Sequence, residues 1–187
     1  MRVIAGTYRS RVLAAPKGLA TRPTSDRLRE TLFNVIAARV PGAVFADLYA
    51  GSGAVGIESI SRGAAEVFFA EKHTAALSAI RGNLRTLGIA GGFQVEAGGT
   101  APLLKRLAGK PLDLVFLDPP YDEVEEYRKT LTMLGDAGNE LVNADSLVIA
   151  EHTRKQVLQD RYGVLQRTRT LVQGDAALSF YAVESLD

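Results

Sequence analysis

Short apolar runs alternate with amphipathic stretches along most of the chain, and this rhythm predicts its elements. Residues 44–48, 66–70, 93–97, 112–117 and 146–150 read as short buried strands. Between them, residues 54–62, 74–87, 101–108 and 123–134 repeat apolar positions at helical spacing, and Gly63 and Gly88 stop the first two. Alternating strands and helices imply a parallel sheet with helices on both faces. The last segment breaks the rhythm. Residues 164–172 and 178–183, separated by Gly174-Asp175, read as a long antiparallel hairpin. The fold class expected is therefore α/β and Rossmann-like: seven strands, mostly parallel, closed by a C-terminal antiparallel hairpin.

The first 40 residues follow a different pattern. Residues 3–5 and 12–14 flank a polar stretch and can pair as a short hairpin. Pro16-Lys17-Gly18 interrupts it, and Pro23 holds Arg22 extended. From Ser25 to Arg39 the apolar positions Leu28, Leu32, Val35 and Ile36 fall on one helical face, with Thr24 or Ser25 as N-cap and Pro41-Gly42 as the stop. The chain thus divides into an N-terminal extension, 1–40, and an α/β domain, 41–187.

Composition narrows the classes. Apolar residues make up 47% and charged residues 23% of the 187, as in a globular protein rather than a disordered one. The absence of cysteine excludes disulfides and thiolate metal sites, and the two histidines, His73 and His152, are too scattered for a metal centre. No apolar run approaches the roughly 20 residues that span a bilayer, and the first residues turn polar too soon for a signal peptide. A cytoplasmic monomer with neither metal nor membrane association is expected. Charge is uneven. The extension carries eight basic residues against two acids, a net +6, while the rest of the chain nets −5. A polyanionic partner held at one end and a merely solvated arm both fit that charge.

The first chemical signal is Asp47-Leu48-Tyr49-Ala50-Gly51-Ser52-Gly53-Ala54-Val55-Gly56, a glycine loop between a strand and a helix. Glycines there let the backbone turn sharply and approach a ligand whose anionic part faces the helix N–H groups. Tyr49, Gly51, Ser52 and Gly53 are the loop's cofactor candidates. Glu71 lies 20 residues after Gly51, at the end of the second strand, where a carboxylate can accept ribose hydroxyls; Lys72 is its neighbour. NAD and S-adenosylmethionine both remain open at this point. Asp47, four residues before the first glycine, helps separate them, because pyrophosphate is repelled by a nearby carboxylate.

The deciding feature is Asp118-Pro119-Pro120-Tyr121 at the end of the fourth strand, on the rim where open α/β sheets bind ligands. Two prolines remove two N–H donors and leave carbonyl oxygens beside the Asp118 carboxylate. An exocyclic amine on a base is a poor nucleophile because its lone pair is delocalised into the ring. Accepting its hydrogens favours a more sp³-like nitrogen, and positioning and electrostatics supply the rest. Tyr121 can stack on an extruded base. Asp118, Pro119 and Tyr121 are thus the catalytic candidates, on an acceptor that is a planar amine.

These motifs resemble the amino-methyltransferases that carry an (Asp/Asn/Ser)-Pro-Pro-(Tyr/Phe/Trp) tetrapeptide within the class I methyltransferase fold. Three stretches, Arg22 to Asn34, Asp47 to Ala64 and Asp118 to Tyr121, are similar to the small-subunit ribosomal RNA guanine-N2 methyltransferases of RsmD type. The likeness runs over nearly the whole chain, and the first stretch discriminates most. It implies methyl transfer from S-adenosylmethionine to the N2 amine of a guanine in 16S rRNA, with an assembled or partly assembled small subunit as substrate. It carries the catalytic role to Asp118, Pro119 and Tyr121, and the cofactor role to Asp47, Gly51, Gly53 and Glu71. Two positions depart from the pattern. Gly98-Gly99-Thr100 stands where an Asp or Asn often meets adenine, leaving backbone groups or Thr100 for that contact, and Ala176 stands where threonine is common.

With an RNA substrate, Arg9, Arg11, Arg22, Arg27 and Arg29 become candidate phosphate contacts. For Arg27 and Arg29 the alternative is a helix surface paired with Asp26 and Glu30. His73 and His152 are expected to be structural. Other acceptors fit the tetrapeptide as well: adenine N6 in DNA or RNA, or a protein glutamine. An NAD-dependent oxidoreductase fits the loop and Glu71 but leaves residues 118–121 unexplained. A non-catalytic RNA-binding module leaves the intact loop and Asp118 unexplained.

Overall fold

The computed structural model describes residues 1–16 and 25–184. Arg22, together with the other residues of 17–24, lies outside them. Helix α1 (Asp26–Ile36) begins where Ser25 accepts a hydrogen bond from the Leu28 amide at 3.1 Å, so Ser25 is the cap. Leu28, Leu32 and Ile36 point inward as expected, whereas Val35 is exposed and lies off the buried face. A 3-10 turn at Ala37–Arg39 ends the segment.

The series then runs β1 (Val44–Leu48), α2 (Ala54–Ser61), β2 (Glu66–Ala70), α3 (Thr74–Leu87), β3 (Phe93–Glu96), α4 (Thr100–Arg106), β4 (Leu114–Leu117), α5 (Val124–Gly135) and β5 (Leu147–Thr153). It closes with β6 (Arg161–Tyr162), β7 (Leu165–Gln173) and β8 (Ala176–Val183). The strands form one sheet in the order β3-β2-β1-β4-β5-β8-β7-β6. β1 to β5 are parallel neighbours, and β8, β7 and β6 are antiparallel. The expected architecture is present with one strand more, since two-residue β6 pairs along β7. A register shift between Arg167 and Arg169 bulges β7 at Thr168.

Side chains alternate across the sheet with the strand period of two. Phe45, Val67, Phe69, Leu114, Phe116 and Ile149 face a core shared with α1, α2 and α3. Leu48, Phe68, Ala70, Val115, Leu117 and Val148 face a second core under α4 and α5. Gly56 is required for the first packing, because a Cβ there would lie 2.3 Å from the Phe69 ring. Strand order reverses at β1, whose neighbours are β2 and β4, so the carboxyl ends of β1 and β4 flank the crevice where such sheets bind ligands.

The N-terminal hairpin is narrower than expected, a single antiparallel bridge between Arg2 and Val12 with flanking backbone bonds such as Val3 N–H to Arg11 O at 2.9 Å. Val3 and Leu13 enter the first core. The hairpin is fixed to α2 by a buried carboxylate: Glu58 accepts from the Ile4 amide at 2.8 Å and the Ala5 amide at 3.0 Å. Its charge is met by Arg62 at 2.7 Å and by Arg29 at 3.9 Å.

Arg29 therefore does not grip phosphates. Its side chain is fully buried, paired with Asp26 at 3.0 Å and donating to the Arg2 carbonyl. Burial pulls its pKa below the usual arginine value, with Asp26 and Glu58 opposing the shift. The charge that suggested a surface role balances Glu58 instead. Glu58→Ala removes the acceptor for two amides and leaves Arg29 facing no counter-charge on α2. Removing one partner from a buried pair typically costs about 3–5 kcal/mol, so the variant should show a loss of that order in urea unfolding followed by circular dichroism.

Candidate active site

The site is built on the carboxyl ends of β1, β2 and β4. The Asp118 amide donates to the Leu48 carbonyl at 3.4 Å, so the ends of β4 and β1 lie side by side. At this rim opens a cavity of about 640 Å³, within the range of small-molecule sites. Asp47, Tyr49, Gly51, Ser52, Glu71, Lys72, Thr100, Asp118, Pro119 and Tyr121 all line it. Of the expected cofactor residues only Gly53 stands back from the wall. It caps α2 at φ +76°, with Ile80 and Phe69 packed against it. None of the described arginine candidates lines the cavity.

The glycine loop is held by carboxylates on either side. Glu71 accepts from the Gly51 amide at 2.9 Å and, through its other oxygen, from Lys72 and His73 amides at 2.7 and 2.9 Å. One buried side chain thus braces the loop and borders the cavity. Asp47 accepts from the Gly56 amide at 2.8 Å, satisfying one of the orphan N–H groups of α2 from below. Burial pushes its carboxyl up to about 8; the Gly56 bond opposes the rise and the Glu71 charge adds to it.

Tyr49 sits at φ +62°, a costly conformation for a tyrosine. Its hydroxyl meets Thr130 Oγ1 at 2.7 Å and donates to Glu126 Oε2 at 3.0 Å, joining the loop to α5. Burial pushes its phenol up to about 12, so it keeps its proton across the working pH range. Lys72 closes the same seam from the other side, 3.6 Å from Glu123.

The Asp118–Tyr121 corner is rigid for reasons beyond its prolines. Tyr127, buried on α5, donates to the Glu151 carbonyl at 2.8 Å and approaches the Pro119 carbonyl at 3.3 Å. The Pro120 carbonyl accepts from the Glu123 amide at 2.9 Å. The Pro120 carbonyl is thus engaged by a protein donor, which leaves the Asp118 carboxylate and the Pro119 carbonyl as the acceptors of the corner. Tyr121 is 37% exposed over the cavity, with its hydroxyl 3.5 Å from buried Glu151. Tyr127, Glu126 and Glu151 were not singled out from the sequence. The available signal was Tyr127's place on the apolar face of α5, where a phenol needs a partner.

The cavity suits a polar cofactor. Thr100, at the start of α4, is buried on its wall, its hydroxyl beside that of Tyr49. Gly98 and Gly99 line the same wall.

A family model described as "Conserved hypothetical protein 95" matches residues 1–182. The chain belongs to that family. Among its relatives is the "Putative rRNA methyltransferase YlbH" of Bacillus subtilis, 34% identical over 183 residues, or 97% of this chain and 98% of that one. The "Ribosomal RNA small subunit methyltransferase D" of Escherichia coli K12 is 38% identical over 140 residues, 74% of this chain and 68% of that one. A solved Escherichia coli structure, "Putative methyltransferase yhhF", superposes with a TM-score of 0.85 at 32% identity, covering 99% of this chain and 98% of that one.

Asp47 gives this family member a testable pH response. Its folded-state pKa lies above the unfolded value near 3.9, so the stability tied to its proton is full below about pH 4 and is lost as pH rises through about 8. Asp47→Asn keeps an acceptor for the Gly56 amide without the titration. Urea unfolding from pH 4 to 9 should show the wild type losing stability relative to this variant across that window. Parallel profiles would contradict the assignment.

Proposed function

We propose that this protein transfers a methyl group from S-adenosylmethionine to the exocyclic N2 amine of a guanine in 16S rRNA of the small ribosomal subunit. The single observation that carries this reading is that one cavity borders both the glycine loop with Glu71 and the Asp118–Tyr121 corner. Two named relatives, one matched along nearly the full length, point to ribosomal RNA. The acceptor is an assembled or partly assembled subunit, and the enzyme acts as a cytoplasmic monomer.

Gly51, Ser52, Glu71 and Thr100 hold the cofactor, with Asp47, Tyr49, Gly53 and Lys72 shaping the loop around it. When bound, S-adenosylmethionine supplies an electrophilic methyl group on a sulfonium sulfur. Asp118 accepts the hydrogens of the target amine and orients its lone pair, with the Pro119 carbonyl offering its second lone pair beside it. Tyr121 stacks on the extruded base, its hydroxyl steadied by Glu151. On the extension, Arg9, Arg11 and Arg27 are exposed and serve as phosphate contacts, joined by Arg22. Arg11 already reaches the C-terminus of α3, donating to the Thr86 carbonyl at 3.1 Å.

Incubation with radiolabelled S-adenosylmethionine and unmodified small subunits, naked rRNA or DNA, followed by nucleoside analysis, tests the reading. Labelled N2-methylguanosine from subunits is expected; label in adenine overturns it. Asp118→Ala should lower kcat by about 10²–10³, as loss of a preorganised polar group at a reacting centre does. Its affinity for S-adenosylhomocysteine, measured by calorimetry, should stay near the wild-type value. Equal loss of both would place Asp118 on the cofactor instead.

A further inference from the structure

Asn83 is a buried polar residue on the apolar face of α3, between Ile80 and Leu84. Asparagine is a poor helix-interior residue, and burying its amide costs free energy unless every group is satisfied. Here each is. Asn83 Oδ1 accepts from the Ala14 amide at 2.8 Å. Asn83 Nδ2 donates to the Ala14 carbonyl and to the Ser52 carbonyl, both at 3.0 Å. Only one orientation of the amide serves these three partners, because Ala14 N–H can only donate and the two carbonyls can only accept.

The partners lie on two different parts of the molecule. Ser52 is the middle residue of the glycine loop, and Ala14 is on the returning arm of the N-terminal hairpin. Beyond Ala14, Ala15 and Pro16 line the cavity, as does Met1 from the other arm. Met1 Sδ lies 3.5 Å from the Ser52 hydroxyl. The extension therefore supplies part of the wall around the cofactor loop, and Asn83 is the residue that bonds to both.

We infer that Asn83 is a positioning residue for the cofactor, fixing the Ser52 carbonyl and the hairpin in register so that the extension forms one wall of the cofactor site. The inference rests on the S-adenosylmethionine reading of the cavity. It also joins two roles that the sequence kept apart, since the segment bearing the exposed basic residues is tied to the loop that holds the methyl donor. By linkage, whatever shifts Ala14 relative to the Ser52 carbonyl shifts cofactor affinity, and the reverse.

The test compares two variants that both loosen the hairpin. Asn83→Ala removes the tie to Ser52. Ser61→Ala removes a hydroxyl that bonds the hairpin elsewhere, donating to the Ala5 carbonyl at 2.6 Å and accepting from the Tyr8 amide at 2.9 Å, away from the loop. Calorimetry with S-adenosylhomocysteine should show the Kd of Asn83→Ala raised about tenfold, the equivalent of roughly one or two net hydrogen bonds. Ser61→Ala should bind as the wild type does. In turnover assays Asn83→Ala should raise KM for S-adenosylmethionine and spare kcat. Thermal melts of both variants gauge the purely structural loss. Affinity that falls equally in both, in step with melting temperature, overturns the inference, as does unchanged affinity in folded Asn83→Ala. Failure of the wild type itself to bind S-adenosylhomocysteine would instead refute the cofactor reading.

Discussion

Everything at the candidate site depends on β1 pairing in parallel with two strands at once. Its register sets Leu48 opposite Ala70 on one side and opposite Leu117 on the other. The next residues out of those three strands are Tyr49, Glu71 and Asp118, so three distant stretches of sequence meet on one rim. The alternation that buries Leu48, Ala70 and Leu117 in the core under α4 and α5 fixes that register, because a slip of one residue would turn every side chain to the wrong face. The fold locates the site before any polar contact is made.

What the polar contacts add is rigidity, supplied by carboxylates bonded to backbone amides. Glu71 holds the loop at Gly51, Asp47 holds the start of α2 at Gly56, and Glu58 holds the hairpin at Ile4 and Ala5. All three are buried, where a carboxylate survives only with donors around it. Their charges are met differently. Glu58 has two arginines within reach, whereas Asp47 has amide partnership and neighbouring Glu71, and its pKa rises. The raised Asp47 carboxyl illustrates how environment, not residue type, governs a group's affinity for its proton.

The fold was legible because apolar period and glycine stops are local signals, and each of β1 to β5 announced itself in its own residues. β6 was not, since Arg161 and Tyr162 carry no strand pattern and exist as a strand through pairing with β7. Val35 misled for the opposite reason: it matches the helical apolar face roughly, but the face that α1 buries is turned toward Arg29 and Phe33, away from Val35. At the site, motif residues were readable because glycine and proline restrict the backbone wherever they occur. Residues that brace them were not, because bracing depends on partners far away in sequence. Asn83 is 31 residues from Ser52, and Tyr127 is 24 from Glu151. Arg29 was misread for the same reason, as its partner on α2 is invisible in the local pattern. A glutamate within the apolar sequence of α2 was the available hint that a buried cation was needed.

The corner's polarity bears on which amine it takes. Asp118, Asp122 and Glu126 all border the cavity on this side, and the two prolines contribute no N–H. Such a wall is rich in acceptors. The hydrogen-bonding edge of guanine that carries N2 has the N1 hydrogen beside it, so the target amine and its neighbour are both donors, with the O6 acceptor at the far end. The edge of adenine that carries N6 places an unprotonated ring nitrogen beside it, which an acceptor wall would face without a hydrogen. Leaving such a group desolvated and unpaired costs about 1–3 kcal/mol, a factor of roughly 10 to 100 or more in selection. Acceptor chemistry at the corner therefore supports the proposed guanine target, whereas the names of the relatives speak of ribosomal RNA and of no particular base. The tetrapeptide alone, shared by enzymes with other targets, would not separate them.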